Sequence, residues 1–227
     1  MQMEQISSKE AISCNAELQI APNDTITYLF FKRTIDIFGA VIGLVILSVV
    51  FIAVALLIKV EDPRGPVFFA QERVGKKGDK FKMYKFRSMV VDAEDKLKDL
   101  LELNETTGAM FKMKNDPRIT KIGKFIRKTS IDELPQLWNV LKGDMSLVGP
   151  RPPLLREVLE YTAYDKQRLL VKPGCTGPWQ VSGRSNIGFK EMVELDLIYI
   201  KTRNCKADIN LILKTIKIIL MPNKGAF

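Results

Sequence analysis

The chain has 227 residues, a formal net charge of +9 and no histidine, which bounds it to one domain, or one domain plus an anchor. The missing histidine removes the usual general base and the usual zinc ligand, so proton transfer falls to carboxylates, lysine or water. Its three cysteines, Cys14, Cys175 and Cys205, show no C-x-x-C spacing, which points to a reducing compartment without a disulfide framework.

Met1 to Asn23 is polar, mixed and poor in aromatics, and a tail is taken to cover residues 1–27. From Ile37 to Ile58 the chain is apolar, interrupted only by Gly39, Gly43 and Ser48. At about 1.5 Å per residue this stretch is long enough for about 30 Å of hydrocarbon, so 28–60 reads as a membrane anchor helix. A signal peptide would have a shorter apolar core and a small-residue cleavage site. Residues 59–227 hold 32 of the 35 basic residues and 21 of the 26 acidic ones, which places that part in the cytoplasm by the positive-inside rule. Lys32 and Arg33, directly before the anchor, prefer the same side. A helix re-entering on the side it came from satisfies both preferences, and a full span satisfies one. No proline lies in the stretch to cause a kink; Ser48 could help weakly by bonding back to a carbonyl.

Residues 61–227 read as the one folded domain. Glu61-Asp62-Pro63-Arg64-Gly65-Pro66 is a turn. Val67 to Gln71 and Phe81 to Met89 are expected as strands of a hairpin around Gly75–Asp79. Asp92 to Leu103 is a charged helix, Asp116-Pro117 a turn, Ile119 to Arg127 a basic amphipathic helix, and Pro135 to Leu141 another helix. One helix is predicted over Arg156 to Leu170, ended by Lys172-Pro173-Gly174, and another over Phe189 to Ile200. Asp208 is the expected N-cap of a last helix reaching Met221, with Ile209, Ile212, Leu213, Ile216 and Ile219 on its apolar side. That face suits a membrane interface or the domain core equally. The fold class is thus α+β and mostly helical: a membrane-embedded, re-entrant N-terminal helix, then a small domain with one short β-hairpin and amphipathic interfacial helices.

The richest stretch is Ser130-Ile131-Asp132-Glu133-Leu134-Pro135. Ser130-x-x-Glu133 has the pattern of a capping box. If Pro135 instead opens the helix, that helix starts about a turn later and Leu134 is extended. Either register leaves Asp132 and Glu133 beside free backbone N–H groups that keep a carboxylate ionised, fit to act as nucleophile or magnesium ligand. Cations that could hold phosphates are Lys85 and Arg87 on one face of a strand, Arg127 just before the dyad, Arg151 between Pro150 and Pro152, and Arg184 in the loop Ser182-Gly183-Arg184-Ser185. Taken singly each is a solvated surface charge; together with the dyad they outline a diphosphate site. Walker A and G-x-G-x-x-G loops are absent. Cys175 reads as a small buried turn residue, with no histidine to activate it.

Lys32-Arg33-Thr34-Ile35-Asp36, Gly65 to Gly75, Lys85-Phe86-Arg87-Ser88-Met89, Ser130 to Gln136, Gly149-Pro150-Arg151-Pro152 and Pro173 to Arg184 together resemble the bacterial sugar transferase family, the monotopic phosphoglycosyl transferases, over about residues 28 to 221. The likeness is to the short form, catalytic domain plus anchor. It implies transfer of a sugar-1-phosphate from a UDP-sugar to a polyprenyl (undecaprenyl) phosphate, with release of UMP, on the cytoplasmic face of the bacterial inner membrane. This would start a capsule, exopolysaccharide or other surface glycan, with membrane lipids and downstream glycosyltransferases as partners and no nucleic acid. The resemblance makes Asp132 the nucleophile and Glu133 its helper. It makes Mg2+ the cofactor at Asp132, with Asp196 a further metal candidate, and Lys85, Arg127, Arg151 and Arg184 the phosphate or nucleotide holders. Where the family carries Ser-Pro in its membrane helix this chain has Ser48-Val49, so re-entrance rests on charge balance. Trp179 to Arg184 resembles members using plain hexoses. Two other readings compete: a membrane-tethered basic module binding anionic lipid or nucleic acid, and an inactive scaffold for glycan assembly.

Overall fold

The computed structural model describes residues 20–100, 113, 115–183 and 187–221. Two N-terminal helices, α1 (Ile26–Ile46) and α2 (Ser48–Glu61), lead into the hairpin of β1 (Phe68–Val74) and β2 (Lys80–Phe86). There follow α3 (Ala93–Leu100), α4 (Lys121–Lys128), a 3-10 turn (Ile131–Glu133), α5 (Gln136–Lys142), β3 (Ser146–Val148) and α6 (Leu155–Leu159). A 3-10 segment (Asp165–Leu170), β4 (Gly174–Thr176), α7 (Pro178–Ser182), α8 (Phe189–Thr202) and α9 (Cys205–Leu220) complete the order. The hairpin is antiparallel, in register from Phe68 opposite Phe86 to Val74 opposite Lys80. Short parallel strands β3 and β4 pair Ser146 with Gly174 and Val148 with Thr176, a second sheet that the sequence reading did not contain. The charged helix expected to Leu103 is seen to Leu100; its end, residues 1–19 and Arg184 lie outside the described residues.

The apolar N-terminal stretch, expected as a helix that re-enters on the side it came from, is two helices bent by 58° at Leu47. Leu47 (φ −88°, ψ 4°) leaves helical geometry without proline. Its N–H still donates to Gly43 at 2.9 Å, and Phe51 N–H to Leu47 at 2.9 Å, so the bend costs little backbone bonding. Its cause is tertiary. On α1, Gly39 and Gly43 have no side chains because Leu147 and Leu137 fill that space: a Cβ there would lie 2.6 Å and 2.9 Å from their Cδ1 atoms. Val54 and Ile58 of α2 bury instead against Phe86 and Ile126. Two separate apolar clusters hold the two halves, and a straight helix would meet only one. Among the described residues no single helix is long and apolar enough to cross a membrane, while the bent pair passes that test by length and composition.

Lys32 and Arg33, expected as flanking charges, are structural. Lys32 Nζ is buried and donates to Asp208 Oδ2 at 2.9 Å and to the Val148 carbonyl at 2.9 Å. Tyr28 and Tyr199 hydroxyls donate to the same Asp208 carboxylate. Arg33 donates to the Val140 and Leu141 carbonyls in the last turn of α5, where carbonyls lack a following helical turn. Asp36 accepts from Ser146 Oγ and Leu147 N–H. Asp208 is therefore not the cap of α9; Asn204 is, accepting from Ala207 N–H at 2.9 Å.

The helix predicted over Arg156 to Leu170 is in fact α6 and the 3-10 segment, separated by a turn. The Asp165 carboxylate takes both the N–H and the hydroxyl of Thr162, at 2.9 and 2.7 Å, a local bonding pattern that competes with helix. The chain is thereby re-aimed so that the Tyr161 hydroxyl accepts from Arg168 Nη1. On α9, Leu211 and Ile212 pack against the core around Val193, Leu197 and Ile200, while Ile209, Leu213, Ile216 and Ile219 stay exposed. The helix thus divides its apolar residues between core and open surface.

Candidate active site

Ser130 adopts a left-handed conformation (φ 57°, ψ 16°) and its side chain caps nothing, so the capping box is not formed. Leu134 is helical (φ −55°, ψ −35°), not extended as its place before proline predicts. The left-handed residue turns the chain sharply out of α4, so that the dyad occupies a single 3-10 turn wedged between α4 and α5. Asp132 is buried there and Glu133 faces out.

Three elements bring cations to this turn. Lys85, near the end of β2, donates to Glu133 Oε1 at 2.6 Å. Arg127, in the last turn of α4, is held by Ser88 Oγ at 2.8 Å. Arg151 follows β3, its guanidinium gripped by both oxygens of Glu157 at 3.0 and 3.4 Å. The framework behind Lys85 is Asn139, fully buried on α5: its Oδ1 accepts from Tyr84 N–H at 3.0 Å and its Nδ2 donates to the Lys82 carbonyl at 2.7 Å. One side chain thus extends the β2 ladder and ties the helix following the dyad to the strand bearing Lys85.

Lys85, Ser88, Arg127, Ser130, Asp132, Glu133 and Arg151 line one cleft of about 2310 Å³. Gly39, Ile42 and Gly43 of α1 and Ile212, Ile216 and Ile219 of α9 also line it, so a charged end adjoins an apolar wall. Asp132 makes no ion pair among the described residues. Its carboxyl is pushed up to about 6, first by burial and further by the neighbouring Glu133, against the pull of Lys85 and Arg127.

Arg87 also reaches the cleft, but its guanidinium is committed to Asp62 and to the Pro66 carbonyl, which locks the exit from α2 to the hairpin. Asp196 is fully buried under Arg168, at 2.8 Å from Nε, and is not part of the cleft lining. No three Asp, Glu, Cys or His come together as a metal set among the described residues, so Asp196 does not join the dyad. Magnesium commonly takes only one or two carboxylates and completes its shell with phosphate oxygens and water; Asp132 with Glu133 fits an ion of that kind carried with a phosphate ligand. Arg73, which nothing in its local sequence singles out within Gly65 to Gly75, lines the cleft on β1 close enough to Arg151 for the two charges to oppose each other, and burial lowers its guanidinium to about 10. Cys175 lines the cleft but is held as a neutral thiol by burial.

A near-unpaired buried aspartate ringed by fixed guanidinium and ammonium groups is the layout of a group-transfer enzyme acting on a phosphate. The chain belongs to the bacterial sugar transferase family, whose family model matches residues 27–222. It is similar to the galactosyl transferase CpsE of Streptococcus agalactiae, 56% identical over 196 residues, 86% of this chain and 43% of that protein. It is also similar to the undecaprenyl-phosphate galactose phosphotransferase of Salmonella typhimurium, 47% identical over 195 residues, 84% of this chain and 40% of that protein. The exopolysaccharide production protein ExoY of Rhizobium meliloti is 36% identical over 200 residues, 86% of this chain and 88% of that protein. The chain thus spans about two fifths of the length of the first two relatives.

Proposed function

We propose that this chain transfers a hexose-1-phosphate from a UDP-sugar to a polyprenyl phosphate, through a covalent intermediate on Asp132. The observation that carries this reading is the buried, unpaired Asp132 carboxylate in a cleft with cations at one end and an apolar wall at the other. An Asp132 oxygen attacks the β-phosphorus; the bond from that phosphorus to the oxygen of UMP breaks, and UMP leaves with the electron pair. The sugar-phosphate is then an acyl phosphate on Asp132. A phosphate oxygen of the lipid attacks the same phosphorus, the bond to the aspartyl oxygen breaks, and the carboxylate is restored with a sugar diphospholipid as product. Two in-line steps let one site serve a soluble donor and a lipid acceptor in turn.

Lys85 holds Glu133 aimed beside the nucleophile. Arg127, Arg151 and Arg73 hold phosphate oxygens and offset the charge that develops on leaving UMP. Magnesium, which the family likeness implies, would be held by Asp132 and Glu133 and would neutralise diphosphate charge. The bent α1–α2 pair is read as a re-entrant anchor in the cytoplasmic leaflet of the bacterial inner membrane, and the apolar wall as the path of the polyprenyl chain. Galactose is the first donor to test, since three relatives carry that sugar in their names, while a relative from Aeromonas hydrophila is named for N-acetylgalactosamine.

The test is UMP release by the detergent-solubilised protein, with undecaprenyl phosphate, magnesium and UDP-galactose, UDP-glucose or UDP-N-acetylgalactosamine. Release from one hexose donor, abolished by Asp132→Asn and by chelator, is the expected result. No release from any donor would overturn the reading in favour of a scaffold.

A further inference from the structure

We propose that the buried Asp196–Arg168 pair is a positioning device for Arg151. Arg151 lies in Pro150-Arg151-Pro152-Pro153, where three residues have no N–H to donate, so those three can be fastened to the fold only through their carbonyls. Each of the four carbonyls in the stretch is taken. Pro150 accepts from Gly174 N–H at 2.9 Å and Pro153 from Val74 N–H at 3.0 Å. Pro152 accepts from Arg73 Nη1 at 3.1 Å and Arg151 from Arg168 Nη2 at 3.4 Å. Arg168 is 2% exposed and forms no part of the cleft lining, so it cannot touch a ligand there. Its guanidinium spreads over three partners: Asp196 on α8, the Tyr161 hydroxyl, and the Arg151 carbonyl.

Stability does not explain this choice of residues. A buried ion pair is commonly matched or bettered by apolar side chains of the same volume, and here Asp196 Oδ1 is buried with no hydrogen-bond partner among the described residues. What a guanidinium supplies, and an apolar residue or a lysine does not, is several donors in a fixed plane. Asp196 orients Arg168, and Arg168 sets the backbone from which the Arg151 side chain reaches the cleft. Glu157 fixes the other end of that side chain. The inference rests on the reading of Arg151 as a phosphate holder.

A double-mutant cycle in the full chain separates positioning from general structural damage. Arg168→Lys is expected to raise the KM for UDP-galactose about tenfold, as a misplaced binding group does, while the same change in an Arg151→Ala background alters it less than about twofold. Equal losses in the two backgrounds, or an unchanged KM in Arg168→Lys alone, would overturn the proposal. If Arg168→Lys does not fold, Asp196→Asn, which keeps the shape and one acceptor, goes through the same cycle with the same expectations. A readout free of turnover is the rise in Tm on adding inorganic pyrophosphate. It is expected in the unaltered chain and reduced to one common small value in Arg168→Lys and Arg151→Ala; no rise in the unaltered chain, or an undiminished rise in Arg168→Lys, counts against the proposal. Should no UDP-sugar turn over, the proposed function fails, and the pyrophosphate measurement still decides the positioning role.

Discussion

Asp132 carries its charge in a place that disfavours it. A carboxyl at about 6 in the folded chain, against an ordinary value of 3.8, binds its proton more tightly folded than unfolded. Folding stability therefore falls as pH rises from about 4 to about 6 and stays lower above that. Asp132→Asn removes this cost: in chelator at neutral pH the variant is expected to unfold at higher temperature, by the equivalent of about 1–3 kcal/mol, while releasing no UMP. Scanning calorimetry of the two proteins checks the sign. The same raised value predicts that kcat/KM falls below about pH 6 as the nucleophile is protonated, read from the acid limb of the rate profile. Ser130 is a second residue under constraint. A left-handed β-branched residue costs about 1–2 kcal/mol, so Ser130→Ile should lower Tm and activity together, and Ser130→Gly should leave both near the starting values.

Most of the charged end of the cleft was legible because Arg127, Asp132, Glu133 and Arg151 sit near turn-forming residues in short, dense motifs, and Lys85 shares a strand face with Arg87. Arg73 and Asn139 were not, because nothing local distinguishes an arginine on a strand or an amide on a helix from a solvated one.

Among the elements, α5 shows best how one side chain places a site. Asn139→Leu would leave the Tyr84 N–H and the Lys82 carbonyl without their partner at a part-buried seam. The expected loss is about 1–2 kcal/mol, the lower part of the range for stranded polar groups, with Lys85 and Glu133 drifting apart and activity falling further than stability alone explains. Urea unfolding and UMP release on the same preparations test this. Elements of strong periodicity, the hairpin, α4, α8 and α9, came through with bounds shifted by a few residues. The failures share one cause. The helix over 156–170 and the Ser130 capping box are patterns that hold locally, yet the burial of Tyr161 with Arg168 and of Asp132 between two helices requires a turn in each place.

At the scale of the molecule, the N-terminal helix and the last helix are joined by the cluster Lys32, Asp208, Tyr28 and Tyr199. The apolar wall of the cleft is drawn from these same two helices, so the cluster fixes its two sides relative to each other. Lys32→Ala leaves a buried Asp208 without its cation, and such losses run to about 3–5 kcal/mol. The expected outcome is a large drop in Tm in detergent, with most of it recovered in Lys32→Met/Asp208→Asn, where no buried charge is stranded.

Local sequence alone determined the length and apolarity of the N-terminal helical stretch, the hairpin, the helical periodicities and the dyad with most of its cations, because each is written in neighbouring residues. Tertiary structure alone decided the bend at Leu47, since Leu47 is an ordinary helix former and the bend comes from Gly39 and Gly43 meeting Leu147 and Leu137 while Val54 and Ile58 meet Phe86 and Ile126. It also decided that Lys32 is buried and not a flanking charge, and that Asp196 serves an arginine and not the dyad. In both cases the partner lies far along the chain, 176 residues away for Lys32 and 28 for Asp196, and a charge buried beside a distant opposite charge has the same sequence signature as one in water.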